Sequence, residues 1–252
     1  MKILNKFLLL QLCILFSACQ SINKSNAELG LPPSYAVFSF DDGPNAHEAT
    51  TARLLDVLKK YGIKASFCLI GKNAEENPDL VRRIYEDGHT LINHGYSGKW
   101  AIEMKADEFR TNLVQGGAAI SAALEKKNKI NFYRPHGGFY NSRHEKICAQ
   151  EGYNLAMVSV RVYDASMKER SRDKIIKRVL KKVKRQNGGV ILLHDARDSH
   201  SLMEKKLHKK ADSAYDRSWI PELVEELIIA LREKGYELNA SQDLFINIFE
   251  DE

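Results

Sequence analysis

The stretch Ala36-Val37-Phe38-Ser39-Phe40-Asp41-Asp42-Gly43-Pro44 decides how the rest of the chain is read. Val37, Phe38 and Phe40 are strand formers, while Gly43 and Pro44 punctuate the chain, so two adjacent carboxylates sit where an extended segment gives way to a loop. Neighbouring residues on a regular strand face opposite sides, so Asp41 and Asp42 can serve one site only if the strand bends or ends there. A Gly-Pro turn allows this. Taken alone, such a turn is a hydrated strand cap; the segments around it argue for more.

Downstream, Ala52, Leu54, Leu55, Val57 and Leu58 predict a helix that ends near Tyr61-Gly62. A buried strand follows over 65–70, a helix over 78–87 closed by Gly88, and a strand over 90–92 leading into Asn93-His94. The alternation continues with helices near 107–126, 143–151, 172–186 and 221–234, and strands near 130–133, 155–160, 189–193 and Tyr236. Strands alternating with helices predict a largely parallel sheet in one α/β barrel-like domain. Ligand chemistry in such folds gathers at the carboxyl ends of the strands. Asp41-Asp42, Asn93-His94, Arg134-Pro135-His136, Asp164 and His194 all fall at or just past predicted strand ends.

The 252 residues suffice for one sizeable core. A hydrophobic content of 44% and a charged content of 28% are those of a globular protein and exclude wholesale disorder. The formal charge is +5; its basic cluster over 177–185 reads as a solvated helix face, and no nucleic-acid motif accompanies it. Lys2 and Lys6 precede an apolar stretch, Phe7 to Phe16, that is too short to span a membrane, which predicts an export signal over residues 1–18. Leu15-Phe16-Ser17-Ala18-Cys19 resembles the lipobox of bacterial lipoproteins, which implies lipidation of Cys19 and a membrane-anchored place in the cell envelope. Phe16 replaces the usual leucine, so a secreted form is the other reading. Residues 19–34, polar and ending in Pro32-Pro33, read as a tether, 35–246 as the domain and 247–252 as an acidic tail. Cys68 and Cys148 read as buried thiols, with a disulfide between them permitted but not required.

Four motifs carry a family resemblance: Ser39-Phe40-Asp41-Asp42-Gly43-Pro44, Gly88-His89-Thr90-Leu91-Ile92-Asn93-His94, Phe132-Tyr133-Arg134-Pro135 and Leu192-Leu193-His194. In this order they closely resemble the signatures of the polysaccharide deacetylase (NodB-like, carbohydrate esterase family 4) proteins, over about residues 35–244. The resemblance implies a distorted (β/α) barrel and a metal-dependent hydrolase that removes acetyl groups from sugars, most often from N-acetylglucosamine. Carried over by position, it implies Asp41 as general base, Asp42 and His94 as ligands of a divalent metal such as zinc, and Arg134 as the partner that keeps Asp41 ionised. It further implies an oxyanion contact from the Gly137 N–H, His194 as the acid that protonates the leaving amine, and Asp164 as the group that steers His194.

The chain also departs from the family pattern. Gly98 stands where a second histidine ligand is expected, four residues after His94. Arg161 replaces an aspartate, Ala165 a tryptophan, His136 a proline and Gly137 an aromatic. Two readings of Gly98 stand: another group or water completes the metal site, with His136, His200 and His208 as candidates, or the protein is a carbohydrate-binding pseudoenzyme. Trp100, Tyr96 and Tyr140 are candidates for stacking on sugar rings.

Overall fold

The computed structural model describes residues 20–125, 130–197 and 215–239. The predicted signal and Cys19, the candidates His200 and His208, the end of the helix predicted to 126, and the acidic tail lie outside the described residues. In chain order the first elements are β1 (Gln20–Ser21), β2 (Tyr35–Asp41), α1 (Thr50–Lys60), β3 (Ser66–Leu69), α2 (Gly71–Glu76), α3 (Pro78–Glu86), β4 (Thr90–Asn93) and α4 (Ala106–Ala123). They are followed by β5 (Phe132–Tyr133), β6 (Phe139–Tyr140), α5 (Ser142–Gln150), β7 (Asn154–Leu155), β8 (Val160–Arg161), α6 (Arg172–Gln186), β9 (Gly188–His194), α7 (Ile220–Glu233) and β10 (Glu237–Leu238). No helix among the described residues is long and apolar enough to cross a membrane.

The period-two pattern of β2 separates two cores. Phe38 and Phe40 pack outward with Leu54, Leu55 and Leu58 of α1 and with Leu223, Leu227 and Ile228 of α7. Val37 faces inward with Cys68, Ile92, Phe132 and Ala156. Ser39 and Asp41, in phase with Val37, therefore lie on the barrel interior, where an apolar strand ends in a carboxylate. Cys68 and Cys148 are both buried free thiols.

Seven strands run in parallel in the order β7-β5-β4-β3-β2-β9-β8, with β10 beside the start of β2. This curled sheet, with helices outside, is the predicted distorted (β/α) barrel. Register aligns the strand ends: Asp41 lies opposite both Cys68 and His194, Leu69 opposite Asn93, and Asn93 opposite Tyr133. The loop after β4 is held close by α4. A Cβ on Gly116 would sit 2.5 Å from the Gly95 carbonyl carbon, so only glycine lets the helix approach the residue that follows His94.

The structure corrects two sequence expectations. The single strand predicted over 155–160 is two short strands, β7 and β8, which are the two ends of the sheet path. Ala156–Ser159 therefore joins the sheet's own edges. Its backbone is satisfied from an unexpected direction: Val158 N donates to Ile22 O at 3.0 Å, and Lys24 N donates to Val158 O at 2.8 Å.

Residues 20–34, predicted as a tether, lie on this seam. Ile22, Leu29 and Leu31 are buried against Val158, Val190 and Leu192, and β1 pairs antiparallel with β6. The Asn26 side chain accepts from Ser159 Oγ at 2.8 Å and donates to Gln186 O at 3.2 Å. Polarity misled the sequence reading, because the three apolar residues are spaced among Ser and Asn that make specific bonds. Ile22→Ala is expected to cost about 2–5 kcal/mol in urea unfolding, the range for emptying a buried aliphatic site; a free tether would show no loss.

Candidate active site

β2 delivers Asp41 to the barrel interior, and the turn at Asp42 brings the second carboxylate round to the same side. Asp42 has φ +75°, a left-handed conformation that breaks strand alternation. Asp41 accepts from Arg134 Nη1, which also donates to Ser39 Oγ at 2.8 Å, while Arg134 Nε donates to Ala156 O at 3.1 Å. Arg134 and Asp41 are both buried.

Three donors converge beside this pair. His94 Nε2 lies 3.5 Å and His136 Nε2 3.4 Å from Asp42 Oδ1. His94 Nδ1–H donates to Arg134 O at 2.7 Å, which fixes the ring's orientation and turns Nε2 toward Asp42. One donor atom from each of Asp42, His94 and His136 fits within a 4.8 Å span. Tetrahedral coordination with bonds of about 2.0–2.2 Å places neighbouring ligand atoms roughly 3.3–3.5 Å apart, so carboxylate and imidazole spacing here fit a zinc-like ion. A second grouping, Asp41, Cys68 and His94, is less suited because Asp41 is already held by Arg134. Burial opposes ionisation of Asp42, yet hydrogen bonds from His136 and His94 outweigh it and hold the carboxyl well below its ordinary range.

His194 closes the other side. Its Nδ1 lies 3.0 Å from Asp164 Oδ1, and its backbone N donates to Asp164 Oδ2 at 3.0 Å. Burial disfavours the imidazolium, but the adjacent Asp164 charge prevails and raises the His194 pKa above its ordinary 6.5. Asp164 is itself buried, and the His194 and Arg217 charges offset that burial and lower its pKa. Arg217 Nη2 donates to Asp164 Oδ2 at 2.5 Å, and its Nε donates to His194 O at 3.0 Å.

Asp41, Asp42, His94, His136, Asp164 and His194 line one cavity of about 380 Å³, together with Trp100, Gly137, Arg161, Tyr163, Arg197 and Tyr215. The structure thus brings together Asp41, Asp42, His94, His136, Gly137, Asp164 and His194, with Arg134 directly beneath Asp41. Gly98 is buried in the loop after His94. Of the candidate sugar platforms, only Trp100 reaches the cavity; it is 45% exposed and covers Gly137, where an added Cβ would lie 2.8 Å from the indole. Tyr96 instead donates to Glu75 at 3.0 Å, and Tyr140 is buried beside Ile22 and Val158. His89 supports the loop before β4, accepting from Ala65 N at 3.1 Å, with burial pushing its pKa down to about 4.

Sequence reasoning missed two residues. Arg217 lies beyond the segment 198–214, and no local pattern marks its side chain as folding back under Asp164. Asp195 follows His194 but is buried beneath Gly43, accepting from Thr51 Oγ1; burial raises its pKa to about 7.

Residues 30–156 match the family model for polysaccharide deacetylase. The chain belongs to the polysaccharide deacetylase family. A peptidoglycan-N-acetylglucosamine deacetylase of Bacillus cereus is 32% identical over 162 residues, covering 64% of this chain and 56% of that protein. A chitooligosaccharide deacetylase of Sinorhizobium fredii is 27% identical over 207 residues, covering 82% of this chain and 89% of that protein. The crystal structure of a peptidoglycan N-acetylglucosamine deacetylase superposes with a TM-score of 0.68 at 25% identity, covering 87% of this chain and 90% of that one.

The His194–Asp164 pair generates a measurable titration. In an NMR titration, His194 should lose its proton above pH 6.5 in the wild type, and Asp164→Asn should lower that midpoint, because burial is then opposed only by the more distant Asp42 and Asp41 charges. An unmoved midpoint would show that Asp164 does not set the charge of His194.

Proposed function

We propose that the protein is a metal-dependent deacetylase that hydrolyses the acetamide of N-acetylglucosamine-containing or otherwise acetylated glycans. The observation that carries this reading is the set of Asp42, His94 and His136 donors at ligand spacing beside a buried Asp41–Arg134 pair. His136 supplies the imidazole that Gly98 cannot, so the departure from the family motif relocates a donor rather than removing it. That favours an enzyme over a sugar-binding pseudoenzyme. The relatives' names support the substrate class.

A divalent ion held by Asp42, His94 and His136 would supply Lewis acidity toward the acetyl carbonyl and toward water. Asp41, held in place by Arg134, takes the proton from the attacking water. The Gly137 N–H, on the cavity wall, donates to the carbonyl oxygen as it gains charge. His194, protonated against Asp164, gives its Nε2 proton to the departing amine, and acetate and the free amine are the products. Because His194 must carry a proton, kcat should fall as pH rises through its elevated pKa.

Acetate release from chitooligosaccharides, peptidoglycan or acetylated xylan tests the reaction. Asp41→Asn is expected to lower kcat by about 10²- to 10⁴-fold with metal retained. His136→Ala should lose both metal and activity, and Gly98→His in that background should recover metal measured by mass spectrometry. Retention of full metal content by His136→Ala would rule out the ligand assignment.

The N-terminal pattern supports export and lipidation at Cys19, placing the enzyme at the cell envelope. Cys19→Ala should shift the protein from the membrane fraction to the soluble exported fraction; an unchanged distribution would reject the anchor.

A further inference from the structure

The cavity carries two guanidinium groups that the deacetylation steps do not use. Arg161 ends β8, three residues before Asp164, and Arg197 lies three residues after His194; both line the wall of the same cavity. Every carboxylate on that wall is already engaged: Asp41 by Arg134, Asp42 by His94 and His136, and Asp164 by Arg217 and His194. Among the described residues neither Arg161 nor Arg197 has a carboxylate partner. Arg161 packs on Tyr163 with its central carbon 5.2 Å from the ring centre, and Arg197 on Tyr215 at 4.3 Å.

Stacking of this kind fixes the face of a guanidinium and leaves its in-plane N–H donors for other partners. Arg197 spends one on the Ala165 carbonyl at 3.1 Å. Arg161 is further located by Gly138, whose missing Cβ leaves room for the guanidinium nitrogens at 3.1 and 3.2 Å from the Cβ position. Lys182 adds a third cation, donating to Arg161 O and lying 6.0 Å from the centre of the Tyr163 ring. Cations held by aromatic rings beside a concave, partly desolvated site form a fork suited to a carboxylate or phosphate. Trp100, across Gly137, offers an uncharged platform for a sugar face.

We propose that Arg161 and Arg197 form a subsite for an anionic group, a carboxylate or phosphate, carried next to the acetylated sugar, so that the substrate is an acidic acetylated glycan. This rests on the deacetylase reading of the same cavity and adds its charge preference. The neutral acetyl-bearing ring lies toward Trp100 and the metal ligands, and the acidic neighbour lies toward β8 and the end of β9.

The test compares three probes on the full exported chain: a hyaluronan hexasaccharide, an oligomer of N-acetylglucosamine 1-phosphate, and chitohexaose as the neutral counterpart. Acetate release and calorimetric binding are both measured, in low and high salt. The expected result is at least about tenfold tighter binding and higher kcat/KM for an acidic probe than for chitohexaose, with the advantage shrinking as salt rises. The ratio of acidic to neutral should fall about tenfold in Arg161→Gln and in Arg197→Gln, with Arg161→Lys intermediate. Preference between the hyaluronan and phosphate probes identifies which anion is used.

Equal or better binding of chitohexaose by the wild type, or a ratio unmoved in both glutamine variants, would overturn the subsite. Acetate release from none of the probes would defeat the deacetylase reading instead, and the binding ratio and its salt dependence in the wild type would still decide the charge preference without reliance on any variant's folding.

Discussion

The buried contact between Arg134 and Asp41 is the constraint on which the site depends. Through its side chain Arg134 reaches Ser39 and Asp41 on β2 and Ala156 on the seam; through its backbone its carbonyl accepts from the His94 ring and its N–H donates to Asn93 O. One residue thereby holds the Asp41 carboxylate, orients the His94 ring and ties together three strand ends. A buried ion pair is seldom retained for stability alone, since apolar side chains of the same volume do as well. Its value here lies in orientation, because a carboxylate held from below presents its other oxygen to the cavity.

Much of the barrel was legible because strand and helix periods alternate without a break, and because parallel strands must end on the same face. That rule by itself brings Asp41, His94, Arg134 and His194 to one face. It failed where a local pattern has two physical outcomes. The apolar run from Leu155 to Val160 reads as one strand, yet its middle residues pair with the N-terminal segment and its ends belong to opposite sheet edges. Arg217 was invisible for a related reason: its partner Asp164 is distant in sequence, and nothing in Arg217-Ser218-Trp219 signals a buried cation.

Gly98 and His136 are read together in the proposed metal site. Two imidazoles separated by four residues are one way to bring donors to a shared ion, but an ion senses only donor type and distance. The turn after β5 brings the His136 ring to 3.4 Å from Asp42 from another direction. Motif spacing is therefore a strong signal when present and a weak one when absent, because substitutions at one position can be met from any element that borders the cavity.

The seam has a consequence for how the chain reaches this state. Residues 20–31 leave the ribosome early, but the surface they cover, built from Val158, Val190 and Leu192, exists only after nearly two hundred residues have been made. Contacts this far apart in sequence form slowly, since the intervening loop must close first. Until then both edges of the sheet stay open to pairing with other chains. Assembly is thus completed by residues 20–31, which are made long before the surface that receives them, and the sheet stays unsealed for as long as they are held elsewhere.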